Sequence, residues 1–184
     1  MAAAMRADAA RNRERIVEAA REVFGTEGPE ASLNEIARRA GIGPGTLYRH
    51  FPTRAALQAA VLAGRIERLR DRAAELRRTL PPDEALAAWL RAFLAHAGTD
   101  HGLAGHLIAQ ETAALGIDCH QVIRDAAAEL LDGARRAGTV RADVTAQDAI
   151  DLVVGVALAT GGAEGAGAGR AERLLGLVLD ALRG

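Results

Sequence analysis

The sequence predicts an all-α protein, with an N-terminal three-helix unit containing a helix-turn-helix and a larger C-terminal helical domain. Three observations lead to the all-helical class. Alanine and leucine dominate the composition, and β-branched alternation is nearly absent. Apolar residues recur at i, i+3, i+4 and i+7 through most of the chain. Glycine and proline cluster between those runs, where helices stop.

The first helix is expected over residues 11–26, with Ile16, Ala19, Ala20, Val23 and Phe24 on one face and Gly25, Gly28 and Pro29 ending it. Ser32-Leu33-Asn34-Glu35 reads as a capping box, in which the serine oxygen accepts from the Glu35 N–H and the Glu35 side chain returns to the serine N–H. The short helix that follows buries Leu33, Ile36, Ala37 and Ala40 and stops at Gly41. Gly41-Ile42-Gly43 is a tight connection, and Pro44 suits the first position of the next helix because its φ is preset and its missing N–H is not needed there. Leu47 and Phe51 face inward, Pro52 stops this helix, and Thr53 can cap a long fourth one over residues 54–80.

Pro81-Pro82 closes the fourth helix, and further helices are expected over residues 83–97, 103–115 and 118–137, with Gly98 as a break. Thr145-Ala146-Gln147-Asp148 resembles a second capping box. It opens a helix whose face carries Ile150, Val153, Val154, Ala157 and Leu158. A flexible segment over residues 161–169 precedes a last helix with Leu174, Leu175, Val178, Leu179 and Leu182 on one face.

Composition narrows the function. In 184 residues, 49% hydrophobic and 26% charged content suits a soluble globular chain, and 3% aromatic content means an aliphatic core. Cys119 is the single cysteine, which excludes an internal disulfide and a multi-cysteine zinc site. The opening residues are alanine-rich but carry Arg6 and Asp8, unlike a signal peptide. The most apolar stretch, residues 152–162, is well short of the roughly 20 residues a membrane span needs. A cytoplasmic location without membrane association follows as the expectation. The formal net charge is −1, and all 23 basic residues are arginine. Residues 1–54 hold nine arginines against seven carboxylates, while the remainder holds fourteen against seventeen. A mildly basic head on an acidic body suits contact with phosphates at one end.

Two short helices joined by a glycine-containing turn describe a helix-turn-helix. An ordinary core hairpin has the same outline, and the polar face of the second helix is what separates the two. Gly43, Pro44, Gly45, Thr46, Tyr48, Arg49 and His50 leave only Leu47 and Phe51 to bury. The glycines permit close backbone approach, and the N–H groups at the start of the helix suit a phosphate. Thr46 can touch a thymine methyl or a base edge, Arg49 can reach guanine, and Tyr48 and His50 can donate to phosphate.

Ile16-Val17-Glu18-Ala19-Ala20 with Val23-Phe24 and Gly28, then Ser32 to Ala37, then the run from Gly41 through Leu47-Tyr48-Arg49-His50-Phe51-Pro52-Thr53-Arg54, resemble the N-terminal domain of the tetracycline-repressor (TetR) family. The likeness spans about residues 11–60; at position 54 many members carry lysine where this chain has arginine. It implies homodimers that bind palindromic double-stranded operator DNA and are released by a small-molecule effector. Carried over by position, it implies DNA contacts from Ser32, Thr46, Tyr48, His50, Thr53 and Arg54. Variability at position 49 within the family fits a role for Arg49 in choosing sequence. The expected domains are residues 1–54 for DNA and residues 55–184 for effector and dimer.

In the body, Trp89, Phe93, His96, Leu103, His106, Leu107, Gln110 and Val122 mix apolar walls with polar groups, as ligand pockets do, although plain packing explains any one of them. The effector itself is not identified by the sequence. His96, His101, His106, Cys119 and His120 do not lie at i, i+4 spacing on one helix, so no metal is expected. The glycines of residues 161–169 follow a helical segment rather than a strand, which argues against a dinucleotide loop and for a solvated hinge; no cofactor is expected. No Ser/His/Asp or paired-carboxylate arrangement is visible, so an enzyme is not expected. The last two helices, with Ile150, Val153, Val154, Ala157, Leu158, Leu174, Leu175, Val178, Leu179 and Leu182, are expected to build the dimer as a four-helix bundle. The rival reading is a helical small-molecule-binding or protein-interaction module whose helix-turn-helix is only structural.

Overall fold

The structure is a computed structural model that describes residues 2–100, 118–160 and 167–183. It is built from helices α1 (Ala2–Glu27), α2 (Leu33–Arg39), α3 (Pro44–His50), α4 (Arg54–Thr79), α5 (Pro82–Asp100), α6 (Cys119–Arg136), α7 (Ala146–Thr160) and α8 (Ala168–Leu182). The all-helical class expected from composition and periodicity is what the chain adopts. Among the described residues, one antiparallel bridge, Val140 to Arg183, ties the loop after α6 to the end of α8. The described residues fall into two compact units, one up to Gly64 and one from Arg65 onward.

The first unit is held by one apolar cluster. Ile16, Ala19, Ala20, Val23 and Phe24 of α1 meet Ile36 and Ala37 of α2, Leu47 and Phe51 around α3, and Leu57, Ala60 and Val61 of α4. Removing a fully buried side chain of this kind, as in Leu47→Ala, costs about 2–5 kcal/mol through lost transfer energy and the cavity left behind. The helix stops are local. Gly28 and Gly41 adopt φ of +85° and +65°, the left-handed conformation that a helix end requires and a side chain resists.

The second unit packs α5 against α6, α7 and α8, and α7 against α8. Trp89 is fully buried at its centre, where its Nε1 donates to the Leu69 carbonyl at 2.9 Å, so burial leaves no orphaned donor. Asp118 caps α6 by accepting from the Gln121 N–H at 2.9 Å. The box at Thr145 forms in both directions: the Asp148 N–H donates to Thr145 Oγ1 at 3.1 Å, and the Thr145 N–H donates to Asp148 Oδ2 at 2.8 Å. The Thr145 hydroxyl also donates to Asp148 Oδ2 at 2.7 Å, and this bond, with that from the Thr145 N–H, holds the Asp148 carboxyl below its usual range.

Three element expectations need correction. Helix α1 begins at Ala2 rather than residue 11, because the alanine-rich opening has high helix propensity without amphipathic periodicity. Helix α5 runs through Gly98 to Asp100; one glycine costs a helix about 1 kcal/mol relative to alanine, which weakens it without ending it. Helix α8 begins at Ala168, so Gly169 is helical rather than part of a hinge. The helix expected over residues 103–115 and the remainder of the hinge, residues 161–166, lie outside the described residues.

Candidate nucleic-acid interface

Helix α3 carries the surface. Its packing side is Leu47, with Phe51 as the residue that closes it, and both are buried. The Phe51 N–H returns to the Leu47 carbonyl at 2.8 Å, which ends the helix one residue before Pro52. Gly43, Pro44, Gly45, Tyr48 and Arg49 are exposed, while Thr46 and His50 are half-buried. Tyr48 is 48% exposed, although it is the chain's single tyrosine and large enough to fill a core site. Arg49 Nη2 donates to Thr46 Oγ1 at 3.0 Å one turn back, so two groups expected to read bases are held side by side. Beyond Gly43 and Gly45 an added Cβ would meet nothing within 4 Å, so packing does not explain either glycine.

Around α3 the supporting residues have local duties. Ser32 is exposed and accepts from the Glu35 N–H at a long 3.5 Å. The reciprocal half of that box is replaced: the Glu35 carboxylate takes Arg38 Nε at 2.8 Å and Arg39 Nε at 2.9 Å instead of the serine N–H. Charged guanidinium donors outcompete a neutral amide for a carboxylate. They hold the Glu35 carboxyl down at about 2. Thr53 is exposed and caps α4, its Oγ1 accepting from the Ala56 N–H at 3.0 Å.

Arg54 is half-buried and turned toward the α1–α2 loop. Its Nη1 donates to the Pro29 carbonyl at 3.0 Å and the Ala31 carbonyl at 2.6 Å. Gln58, a buried polar side chain, donates from Nε2 to the same Pro29 carbonyl at 2.9 Å. Sequence reasoning had no signal for Gln58, since a glutamine on a helix reads as surface. Its place one turn after Arg54, on the same face, is the only hint.

A family model described as "Bacterial regulatory proteins, tetR family" matches residues 16–61, and one described as "Transcriptional regulator SbtR-like, C-terminal domain" matches residues 81–184. The chain belongs to the TetR family. Among solved structures, it is 42% identical to the TetR transcriptional regulator SCO0520 of Streptomyces coelicolor, covering 93% of this chain and 98% of that one with a TM-score of 0.77. It is 37% identical to a TetR transcription regulatory protein of Mycobacterium vanbaalenii, covering 98% and 99% of the two chains with a TM-score of 0.70. An HTH-type transcriptional regulator of Staphylococcus aureus, SAUSA300_2515, is 58% identical over 48 residues, which are 26% of each protein. The match to such curated relatives thus spans about a quarter of their length. This TetR-family chain is a transcriptional regulator with a DNA-binding helix-turn-helix, in a family of regulators rather than enzymes.

In the body of the regulator, Trp89 and Phe93 are buried and stacked, with ring centroids 5.6 Å apart, and His96 lies 6.2 Å from Phe93. Val122 is half-buried on α6. Leu103, His106, Leu107 and Gln110 lie outside the described residues, as does His101. Among the described residues no group of three or more His, Cys, Asp or Glu is placed to hold a metal. Likewise, no helix among them is long and apolar enough to cross a membrane.

The residues expected at a dimer contact divide into two sets. Ile150, Val153, Ala157, Leu175 and Leu182 are buried within the protomer. Val154, Leu174, Val178 and Leu179 are half-buried against that core, and Leu158 is 61% exposed. Leu152 and Leu177, absent from the expected set, are 45% and 58% exposed. They line a groove of about 700 Å³ together with Gly155, Val156 and Ala159 of α7 and Leu174 and Val178 of α8.

Proposed function

We propose that the chain is a ligand-responsive repressor that binds palindromic operator DNA as a homodimer in the cytoplasm and is released by a small-molecule effector. The observation that carries this reading is α3, a helix anchored by Leu47 that turns Tyr48, Arg49 and two uncrowded glycines to solvent. A core hairpin has no use for that face; a major groove does. In this reading residues 1–54 are the DNA reader, and the contact set is Ser32, Gly43, Pro44, Gly45, Thr46, Tyr48, Arg49, His50, Thr53 and Arg54.

Residues 55–184 take the effector and the second protomer. Trp89, Phe93, His96 and Val122, with Leu103, His106, Leu107 and Gln110, supply the effector's surroundings. Helix α4 contributes Leu57, Ala60 and Val61 to one core and Leu69, Ala73 and Leu76 to the other, so it is the route by which an effector changes operator affinity. The dimer forms on the outer face of α7 and α8.

A gel shift with a duplex from the region upstream of its own coding sequence tests the reading. Retardation by purified protein at moderate salt, weakened by Arg49→Ala with altered base preference, is the expected result. No retardation of that duplex or of a random one leaves a helix-turn-helix that is only structural.

A further inference from the structure

The arginines over residues 7–64 fall into two groups. Arg11, Arg21, Arg38, Arg39 and Arg54 each have a carboxylate within 4 Å, from Asp8, Glu18, Glu35, Glu35 with Glu27, and Glu30. Among the described residues of that stretch, Arg13, Arg15 and Arg49 have none. Arg49 belongs to α3 itself. The other two are exposed residues of α1, and each lies near one end of α3.

The Arg13 guanidinium sits over the Phe51 ring, 5.1 Å from its centroid, beside the residue that closes α3. An aromatic face orients a guanidinium without neutralising it and leaves its edge N–H donors available. Arg15 lies at the turn that precedes α3: a Cβ added to Gly41 would come within 2.6 Å of Arg15 Nη2. Gly41 supplies the φ of +65° that the turn needs, and the Arg15 head group rests over its bare backbone. Glu14 stands between them in sequence and forms no ion pair with either among the described residues. Two uncompensated guanidinium groups thus stand at the ends of the recognition helix, Arg15 at its entrance and Arg13 at its exit. Phosphate is the ligand such groups fit, since guanidinium donors match its oxygens in pairs.

We propose that Arg13 and Arg15 are DNA-phosphate contacts, so that the footprint of this regulator extends from α3 onto its first helix. The inference rests on the DNA-binding reading above and adds residues outside the set implied by family resemblance. These contacts act on the backbone, so they are independent of base sequence.

Arg13→Gln and Arg15→Gln, singly and together, test it, with Arg21→Gln as the ion-paired control. Binding to a random duplex and to the upstream duplex is followed by fluorescence anisotropy across a salt series. Each single variant is expected to lower the slope of log K against log salt by about 0.9 for each protomer bound, and the double variant by about twice that. Affinity should fall equally for both duplexes, Arg21→Gln should change neither quantity, and the lysine variants should restore the slope. An unchanged slope in the double variant, or lost affinity that lysine does not restore, overturns the proposal. Failure of the wild-type protein to bind either duplex overturns the DNA-binding reading itself, a separate and recognisable result. Circular dichroism of each variant separates loss of a contact from loss of fold.

Discussion

At the scale of single residues, the most informative position on α3 is one with no side chain. Gly45 lies inside a helix, where alanine is favoured by about 1 kcal/mol. Nothing in the protomer crowds it. Stability alone would therefore select alanine, and in the DNA-binding reading proposed above the bare surface lets a partner's backbone approach closely. Gly45→Ala is expected to leave the melting temperature unchanged or raise it slightly, while weakening operator binding at least severalfold. Thermal denaturation and anisotropy measure the two effects on one preparation. Undiminished affinity would remove Gly45 from the interface. Glu35 illustrates the opposite case, a residue whose local role is decided by competition. Its spacing from Ser32 was legible as a capping box, but Arg38 and Arg39 stand one turn on and take the carboxylate. Which donor wins depends on charge, and spacing alone does not rank donors.

At the scale of elements, α4 begins as a clamp. Arg54 and Gln58 together place three hydrogen bonds on Pro29 and Ala31, carbonyls of the loop that leads into α2. A hydrogen bond to a charged donor contributes about 1.5–3 kcal/mol when buried, and the half-buried Arg54 falls at or below the low end. Arg54→Ala should therefore lower stability by about 1–2 kcal/mol, read as a melting temperature reduced by about 2–8 °C. A pure phosphate contact would instead leave the melt unchanged and only weaken DNA binding, so the melt distinguishes the roles. The helices themselves were largely legible. Apolar spacing at Ile16, Ala20 and Val23 marks α1, and Gly41 and Pro52 mark the limits around α3. The start of α1 was not, because residues 2–10 form helix through propensity without an amphipathic pattern. Nor was the passage of α5 through Gly98, since a single glycine weakens a helix without having to end it. The exposed face of α3 was readable because one residue type, Tyr48, had no other explanation. The duties of Arg54 and Gln58 were not, because their partners lie in a loop more than twenty positions away.

At the scale of the whole molecule, periodicity identified α7 and α8 as helices with wide apolar faces but could not say which side faces inward. The structure divides them. Val153, Ala157 and Leu175 belong to the protomer core, whereas Leu152, Gly155, Ala159, Leu177 and Leu158 point outward. Leu152, Gly155 and Ala159 recur at helical spacing along one stripe of α7, with Leu177 beside them across the groove. Small residues in such a stripe let a second helix approach closely, and a two-fold axis would bring the same stripe from another copy. The difference between core and outer face decides how the dimer should be tested. Introducing glutamate at Leu175 would place a charge in the protomer core and unfold it, so monomers would prove nothing about the interface. Leu152→Glu with Leu177→Glu places the charges on surface that water already reaches, and Gly155→Arg adds a side chain where nothing lies within 4 Å. Both variants are expected to keep the helical content of the parent while running as monomers in size-exclusion chromatography with light scattering. Operator binding should fall with them, because two half-sites are then bound independently rather than by one linked pair of readers. A persisting dimer in both variants would move the interface away from the outer face of α7 and α8.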